Sequence, residues 1–362
     1  MDTRLTDARE IINRVDAQMA KLFEERMRAA ALIAQYKMER GLQIYDAERE
    51  NEVIRRGSER IEADDVREHY VNFLKNTMAV SRAYQSRIIE GMRVAYCGTE
   101  GAFAHIATNK LFPTARKVAH STFEEAYNAV ARGECEVAVL PVENSYNGEV
   151  GQVTDLMFGG PLFLSDMIEL AVTQDLLALP GTKLSDIKEV ISHPQALGQC
   201  AGFIKEHGLI ASEYSNTALA AKYVSESGNR TIAAIASAEA AEIFGLEVIE
   251  RNINASRNNT TRFAVFSRIE AKRKPRTHGL HTVLMFTVRH EAGALAKAIE
   301  IIGKHGFNMK SLRSRPMKEL LWQYYFYVEA EGNVDTDEGR LMMNELSEYC
   351  DSLRAVGTYI KK

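Results

Sequence analysis

Residues 135–144 read CEVAVLPVEN, an apolar run from Val137 to Val142 that ends in the polar pair Glu143–Asn144. A short run rich in Val and bounded by polar residues predicts a strand buried on both faces, and a helix is expected after Gly148. The same succession recurs on either side. RVAYCG (93–98) precedes a helix from Ala102, KEVISHP (188–194) a helix through Phe203, and TIAAIAS (231–237) the helical AEAAEIFGL. Strands alternating with helices predict an α/β domain over residues 92–270, long enough for two lobes, with ligands at the strand ends.

Upstream the pattern is different. All seven prolines lie at or beyond Pro113, and residues 1–90 hold only Gly41 and Gly57, so this stretch is free of helix breakers. Ile12, Val15, Met19 and Leu22 recur at helical spacing, and Leu32 with Ile33 continues the face. A helix from Leu5 to Glu39 would span roughly 50 Å, too long to be covered by two short following helices alone. An all-α domain (1–90) that intertwines with a second copy is the expectation.

Downstream, AKRKPR (271–276) opens a polar basic linker over residues 271–279. Beyond it HTVLMFTVRH, GALAKAIEIIGKHG, FNMKSLRSRP, WQYYFYVEAEG, DEGRLMMNELSEYC and RAVGTYIK predict strand, helix, strand, strand, helix and strand. That βαββαβ order over 280–362 is ferredoxin-like, with Trp322, Tyr324 and Phe326 expected on the core face of their strand.

Bulk composition fits a multi-domain globular protein whose partner is a small molecule. The 362 residues exceed what one core organises, 26% are charged, and the net charge of −4 gives no reason to expect nucleic acid or a membrane. Four scattered cysteines without a CxxC pair suit a reducing cytoplasm, and neither a signal peptide nor an apolar span is evident. No His/Cys cluster has ligand spacing, so no metal or other cofactor is expected, and His105 and His193 read as structural or hydrogen-bonding groups.

In the helical region Arg26 and Lys37 return to one helix face, Asp46, Arg49 and Glu50 form a stripe, and Ser81 with Gln85 another. Arg9 lies about 100° away from Arg26 around the helix, so it cannot easily serve the same pocket within a straight helix, and a second protomer could supply it. Singly such stripes are ordinary solvated faces. Together AREIINRVDAQMAKLFEERM, YK, YDAEREN and SRAYQ resemble the all-helical chorismate mutase family. The resemblance implies Arg9 of the other chain, Arg26 and Arg49 around two substrate carboxylates, Lys37 and Gln85 at the ether oxygen, and Glu50, Ser81 and Asp46 at remaining polar groups. The Claisen rearrangement of chorismate needs no nucleophile: it needs the reactive conformer held and charge on the breaking ether oxygen stabilised.

In the α/β region four polar clusters fall at strand ends: GTEGAFAH (98–105), PVENSYNGEV (141–150), SHPQALGQC (192–200) and NNTTRF (258–263). As a set they resemble prephenate dehydratase, whose fold is of the two-lobed periplasmic-binding-protein type. The resemblance implies Thr261 as donor to the departing ring hydroxyl, Arg262 near a substrate carboxylate, and Glu143, Asn144, Ser192 and Gln199 shaping the pocket. Gln174 and Asp175 depart from the family, which more often carries a histidine followed by a small or polar residue.

Residues 280–362 resemble an ACT domain, with Gly293, Ala294 and Leu295 in the place of its GAL motif and Ser314, Arg315 and Pro316 retained from ESRP. Asn308 can bond an amino-acid main chain. Arg313 stands where the family carries glutamate. The whole chain is thus expected to turn chorismate into prephenate and prephenate into phenylpyruvate, with L-phenylalanine as effector and a homodimer or higher homo-oligomer as the assembly. The other readings are an amino-acid-binding regulator with inactive catalytic domains, and a dehydratase whose helices only dimerise.

Overall fold

The computed structural model describes residues 4–255, 258–272, 279–317 and 323–361. The chain divides into two compact units, Met1–Arg93 and Val94–Lys362. The first consists of α1 (Arg4–Glu39), α2 (Ala47–Ser58) and α3 (Asp64–Glu90). Asp46 caps α2 by accepting from the Arg49 amide at 3.0 Å. Helix α1 packs on α3, yet within one chain only Ala30 and Ala34 of its 36 residues are buried. Ile11, Ile12, Val15, Met19 and Leu22 stay exposed on its N-terminal half. No described helix is long and apolar enough to cross a membrane.

The second unit begins with β1 (Arg93–Cys97), α4 (Phe103–Leu111), β2 (Arg116–His120), α5 (Phe123–Ala131), β3 (Val137–Asn144), the two-residue β4 (Gly148–Glu149), α6 (Gly151–Gly159) and β5 (Phe163–Ala171). It crosses to a second lobe made of β6 (Asp175–Ala178), β7 (Glu189–Ser192), α7 (Pro194–Gln199), α8 (Ala201–Glu206), β8 (Ile210–Glu213), α9 (Thr217–Ser227), β9 (Ile232–Ala236), α10 (Ala238–Phe244) and β10 (Glu247–Glu250), and returns along β11 (Thr260–Ser267). The sheets are ordered β2-β1-β3-β11-β5, with β4 beside β3, and β10-β6-β9-β7-β8. In the first, β1 and β3 are parallel whereas β11 runs antiparallel to both its neighbours. Two chain crossings therefore join the lobes, and a cleft opens where they meet.

A third sheet, β13-β14-β12-β15, follows from β12 (Leu280–Val288), α11 (Ala294–Lys304), β13 (Asn308–Pro316), β14 (Tyr324–Glu331), α12 (Asp337–Ser347) and β15 (Cys350–Ile360), the βαββαβ order. Its two faces bury different things. Leu284, Phe286, Val328 and Ala330 pack on Ile301, Ile302, Met342 and Leu346 of the two helices. Val283, Met285, Tyr325 and Tyr327 join Tyr127, Met157 and Leu164 of the first lobe in one core. Each large side chain so buried contributes about 1.5–3 kcal/mol. At Gly357 a Cβ would lie 2.0 Å from the Leu164 carbonyl oxygen, so a glycine is what lets β15 approach β5 so closely.

This second interface corrects the expectation for the aromatic strand. Tyr324 is 42% exposed and Phe326 meets Phe286 at 5.7 Å between ring centroids, on the helix-covered face. Tyr325 and Tyr327 are the fully buried pair. Trp322 lies outside the described residues, as do residues 273–278 of the expected linker.

Candidate functional site

Two cavities collect most of the residues singled out above. In the helical unit a cavity of about 320 Å3 is lined by Arg26, Lys37, Asp46, Arg49, Glu50, Ser81 and Gln85, brought together from all three helices and the α1–α2 turn. Arg82 also lines it, a residue the sequence reading missed although it stands next to Ser81. Its guanidinium pairs with Glu50 and lies 5.5 Å from the centre of the Tyr45 ring. Arg9 does not reach this cavity from its own chain. It sits on the exposed N-terminal half of α1, about 25 Å along the helix axis from Arg26.

The cavity is electrostatically one-sided, with four cations (Arg26, Lys37, Arg49, Arg82) against two carboxylates (Asp46, Glu50). Arg26 donates to Ser81 Oγ, and burial lowers its pKa. Lys37 Nζ donates to the Ile44 carbonyl at 2.5 Å, which fixes it at the mouth of the turn. Arg49 is 61% exposed and paired with Glu52 at 2.6 Å. Gln85 is buried, lines the cavity and has its acceptor Oε1 unpartnered. The surplus of two positive charges suits a dianion, and Arg forks bind carboxylates two oxygens at a time.

In the second unit a cleft of about 440 Å3 lies between the two lobes. Thr261, Asn144 and Gln199 line it, together with Asn259, which the sequence reading quoted within a motif but did not single out. These four side chains form one relay. Asn144 Oδ1 accepts from the backbone amides of Tyr146 at 3.0 Å and Asn147 at 2.9 Å, which fixes the amide's orientation. Its Nδ2 then donates to Asn259 Oδ1 at 2.8 Å and Thr261 Oγ1 at 2.9 Å, and Asn259 Nδ2 donates to Gln199 Oε1 at 3.3 Å. Because Thr261 Oγ1 is an acceptor from Asn144, its own hydroxyl hydrogen is left to point at a ligand.

No lysine or arginine lines the cleft among the described residues. The first residues of α4, α7 and α9 line it instead, at Phe103–Ala104, Gln195–Ala196 and Thr217. His193 caps α7 by accepting from the Gln195 amide at 3.2 Å. His105 Nδ1 accepts from the Gly101 amide at 3.3 Å, and burial depresses its pKa, so it stays neutral. Both histidines accept from the backbone, and His193 also lines the cleft. Gln174 lines the cleft with a buried, unpartnered Oε1, whereas Asp175 turns away to accept from the Asn252 amide at 2.7 Å.

Three expected pocket residues are placed elsewhere. Ser192 is fully buried and donates to the Ile235 carbonyl at 2.5 Å, tying β7 to β9. Arg262 follows Thr261 on β11 and therefore points to the opposite face of the sheet, as does its cross-strand partner Glu143. There Arg262 makes a bidentate pair with Glu329 at 2.8 and 2.9 Å and donates to Tyr359 at 2.6 Å. The signal that separates Arg262 from Thr261 is present in TTRF itself, since neighbours on a strand alternate between its faces.

A smaller cavity of about 240 Å3 in the third sheet is lined by Leu295, Thr287, Arg289, Tyr324, Phe326 and Asp351, among others. Gly293 caps α11 beside it at φ +86° and Ala294 begins the helix. Asn308 is not among its lining residues and donates to Glu331 at 2.8 Å. Ser314, Arg315 and Pro316 also lie outside it, along edge strand β13.

Comparison with known proteins assigns both regions to known families. The family described as chorismate mutase type II is matched over residues 8–86, and prephenate dehydratase over residues 94–271. A bifunctional chorismate mutase/prephenate dehydratase from Neisseria gonorrhoeae is 30% identical, with 99% of this chain and 98% of that protein covered. Arogenate dehydratase 2 from Petunia hybrida is 33% identical over 74% of this chain and 71% of its own length. The solved prephenate dehydratase of Arthrobacter aurescens, in complex with L-Phe, is 26% identical with a TM-score of 0.68, covering 75% of this chain and 90% of that one.

Proposed function

The chain belongs to the family of bifunctional chorismate mutase/prephenate dehydratases, and from that membership and the two cavities we infer a division of labour between its units. It rearranges chorismate to prephenate and converts prephenate to phenylpyruvate, two steps toward phenylalanine. The rearrangement takes place in the helical cavity. Arg26 and Arg49 hold the two carboxylates, and Arg9 of a second copy closes the site. Lys37 and the Gln85 Nε2 group donate to the ether oxygen as its bond to the ring breaks. Asp46, Glu50 and Ser81 order these cations and meet the remaining polar groups. The exposed apolar stripe of α1 supports a second copy as its cover, because a single chain leaves that stripe in water.

The dehydration takes place in the cleft between the lobes. Electrons of the bond to the departing carboxylate flow into the ring, carbon dioxide leaves, and the ring C–O pair departs with its oxygen, which takes a proton to become water. The Thr261 hydroxyl donates to that oxygen. The observation that carries this reading is the fixed orientation of Asn144, which makes Thr261 an acceptor from the protein and a donor to the ligand. Helix-start amides and the Gln199 and Asn259 amides receive the dianion where no side-chain cation is at hand.

The 240 Å3 cavity suits an apolar amino acid, with Arg289 for a carboxylate, Asp351 for an ammonium and Leu295 with Phe326 for a ring. Occupation by L-phenylalanine lowers dehydratase turnover. An assay that supplies chorismate and reads both products tests all three parts. Lys37→Ala chains should still convert added prephenate, Thr261→Ala chains should stall at prephenate, and Asp351→Ala chains should lose inhibition by phenylalanine.

A further inference from the structure

The side of β3 and β11 turned away from the cleft carries a second constellation of charge, built partly from the third sheet. Glu143 accepts from Arg313 Nη2 at 2.5 Å and from Arg262 Nη1 at 3.3 Å. Two residues along β13, Arg315 donates through Nε to Asp155 Oδ1 at 3.0 Å, and its Nη1 lies 3.7 Å from Glu149 Oε2. Tyr325 of β14 donates to the same Asp155 oxygen at 2.6 Å. A Cβ at Gly151, the first residue of α6, would overlap the Arg315 guanidinium, so that group is seated against the backbone.

Of these acids Glu143 and Glu149 lie on β3 and β4, strands that form part of the cleft wall, and Asp155 lies on the following α6. Glu143 and Asn144 are successive residues of β3 and face opposite sides, and Glu149 pairs with Glu143 across the β3–β4 hairpin. Asn144, Asn147, Gly148, Glu149 and Val150 all contribute to the lining of the cleft. The Asn144 amide that orients Thr261 is therefore one peptide away from a carboxylate gripped by Arg313. Both members of that pair are largely shielded from water, at 23% and 27% side-chain exposure, so the pairing is screened little.

We propose that Arg313 and Arg315 are positioning residues of the dehydratase reaction, holding from behind the β3–β4 hairpin whose front presents Asn144 to Thr261. The arginine at 313 is then a clamp between the sheets, and the charge it carries is matched by Glu143 rather than by an effector. Alternate residues of β14 serve different ends: Tyr324 and Phe326 line the effector cavity, while Tyr325 faces the clamp. The proposal rests on the cleft being the dehydratase site, which Asn144→Ala tests separately.

The experiment measures dehydratase kcat and KM of the full chain carrying Arg313→Glu, Arg313→Lys, and Arg313→Glu with Glu143→Gln. Mutase turnover and the near-ultraviolet circular dichroism spectrum are read on the same preparations. Arg313→Glu should lower kcat about 10- to 100-fold, as expected for a small displacement of a catalytic group. The KM for prephenate should move less than about threefold, because the loss falls in the transition state. Arg313→Lys and the double variant should each recover at least about fivefold over Arg313→Glu, with mutase turnover unchanged throughout. Wild-type kcat in Arg313→Glu alongside an inactive Asn144→Ala would overturn the clamp and leave the site standing. Full turnover by Asn144→Ala would remove the site and the clamp together. Loss of the near-ultraviolet spectrum without recovery in either rescue would also overturn it, reducing the pair to a purely structural one.

Discussion

The helical cavity and the interlobe cleft, the two sites proposed for the dianionic substrates, present charge by different means. The first gathers Arg26, Lys37, Arg49 and Arg82 against Asp46 and Glu50. The second has no lysine or arginine among its described lining residues and offers amides, hydroxyls and helix starts. Helices set far-reaching cations at i, i+3 and i+4, so a three-helix unit without a sheet builds its site from long side chains. Strand ends bring short side chains and backbone amides together, and a dipole held in place needs no long arm. A rearrangement whose charge develops on an ether oxygen gains from a cation. A dehydration that must hand a proton to a leaving oxygen gains from an oriented hydroxyl.

That contrast can be broken in four places. Lys37→Ala should lower mutase kcat about 1000-fold, the upper range for losing one preorganised charge donor, with prephenate conversion intact. Near-normal mutase turnover would remove Lys37 from the ether oxygen. Thr261→Ala should lower dehydratase kcat about 100-fold while Thr261→Ser retains most of it, as a hydroxyl donor requires. Equal loss in both would show that the methyl group, not the proton, is what matters.

Acid sharpens the difference between the front and the back of the dehydratase sheet. Burial pushes the Glu329 carboxyl up, but hydrogen bonds from Arg262 and Tyr359 outweigh it and draw it down to about 2 from an ordinary 4.5. A depressed carboxyl stabilises the fold above its unfolded value and loses that contribution as pH falls through the folded one. Thermal unfolding should therefore move to lower temperature between about pH 4.5 and 2, and Glu329→Gln should flatten that slope by several degrees. An unchanged slope would mean the pair with Arg262 contributes nothing. The smallest effect is ionic. Raising salt from about 0.05 to 0.5 M should increase KM for chorismate about threefold and KM for prephenate less, since screening acts on side-chain cations at an open cavity. Equal salt responses would erase the distinction.

Much of the site is legible in the sequence. Helical spacing puts Arg26 with Lys37, Asp46 with Arg49 and Glu50, and Ser81 with Gln85 on shared faces, and the resemblance to chorismate mutase implies that these faces meet in the one cavity they line. Thr261, Asn144 and Gln199 come from motifs at strand ends, where open α/β sheets collect ligands. Ser192 is misplaced by the motif because a hydroxyl at a strand end can equally bond the neighbouring strand, and Ile235 supplies that carbonyl. Arg262 and Glu143 are misplaced because a motif carried as a block ignores that its residues alternate between two faces.

The sequence by itself determined the helical first region, four strand–helix repeats of the second, the βαββαβ order of the last, and which residues share a helix face. Those follow from propensity, periodicity and caps, all short-ranged. Only the tertiary structure decided that the third sheet buries its second face on the first lobe, so that Arg313, Arg315 and Glu329 meet Glu143, Asp155 and Arg262. Such pairings join residues more than sixty positions apart, and Arg313 with Glu143 are 170 apart. No local pattern encodes them, because a charge on a strand reads the same whether it meets water or a partner brought in by packing.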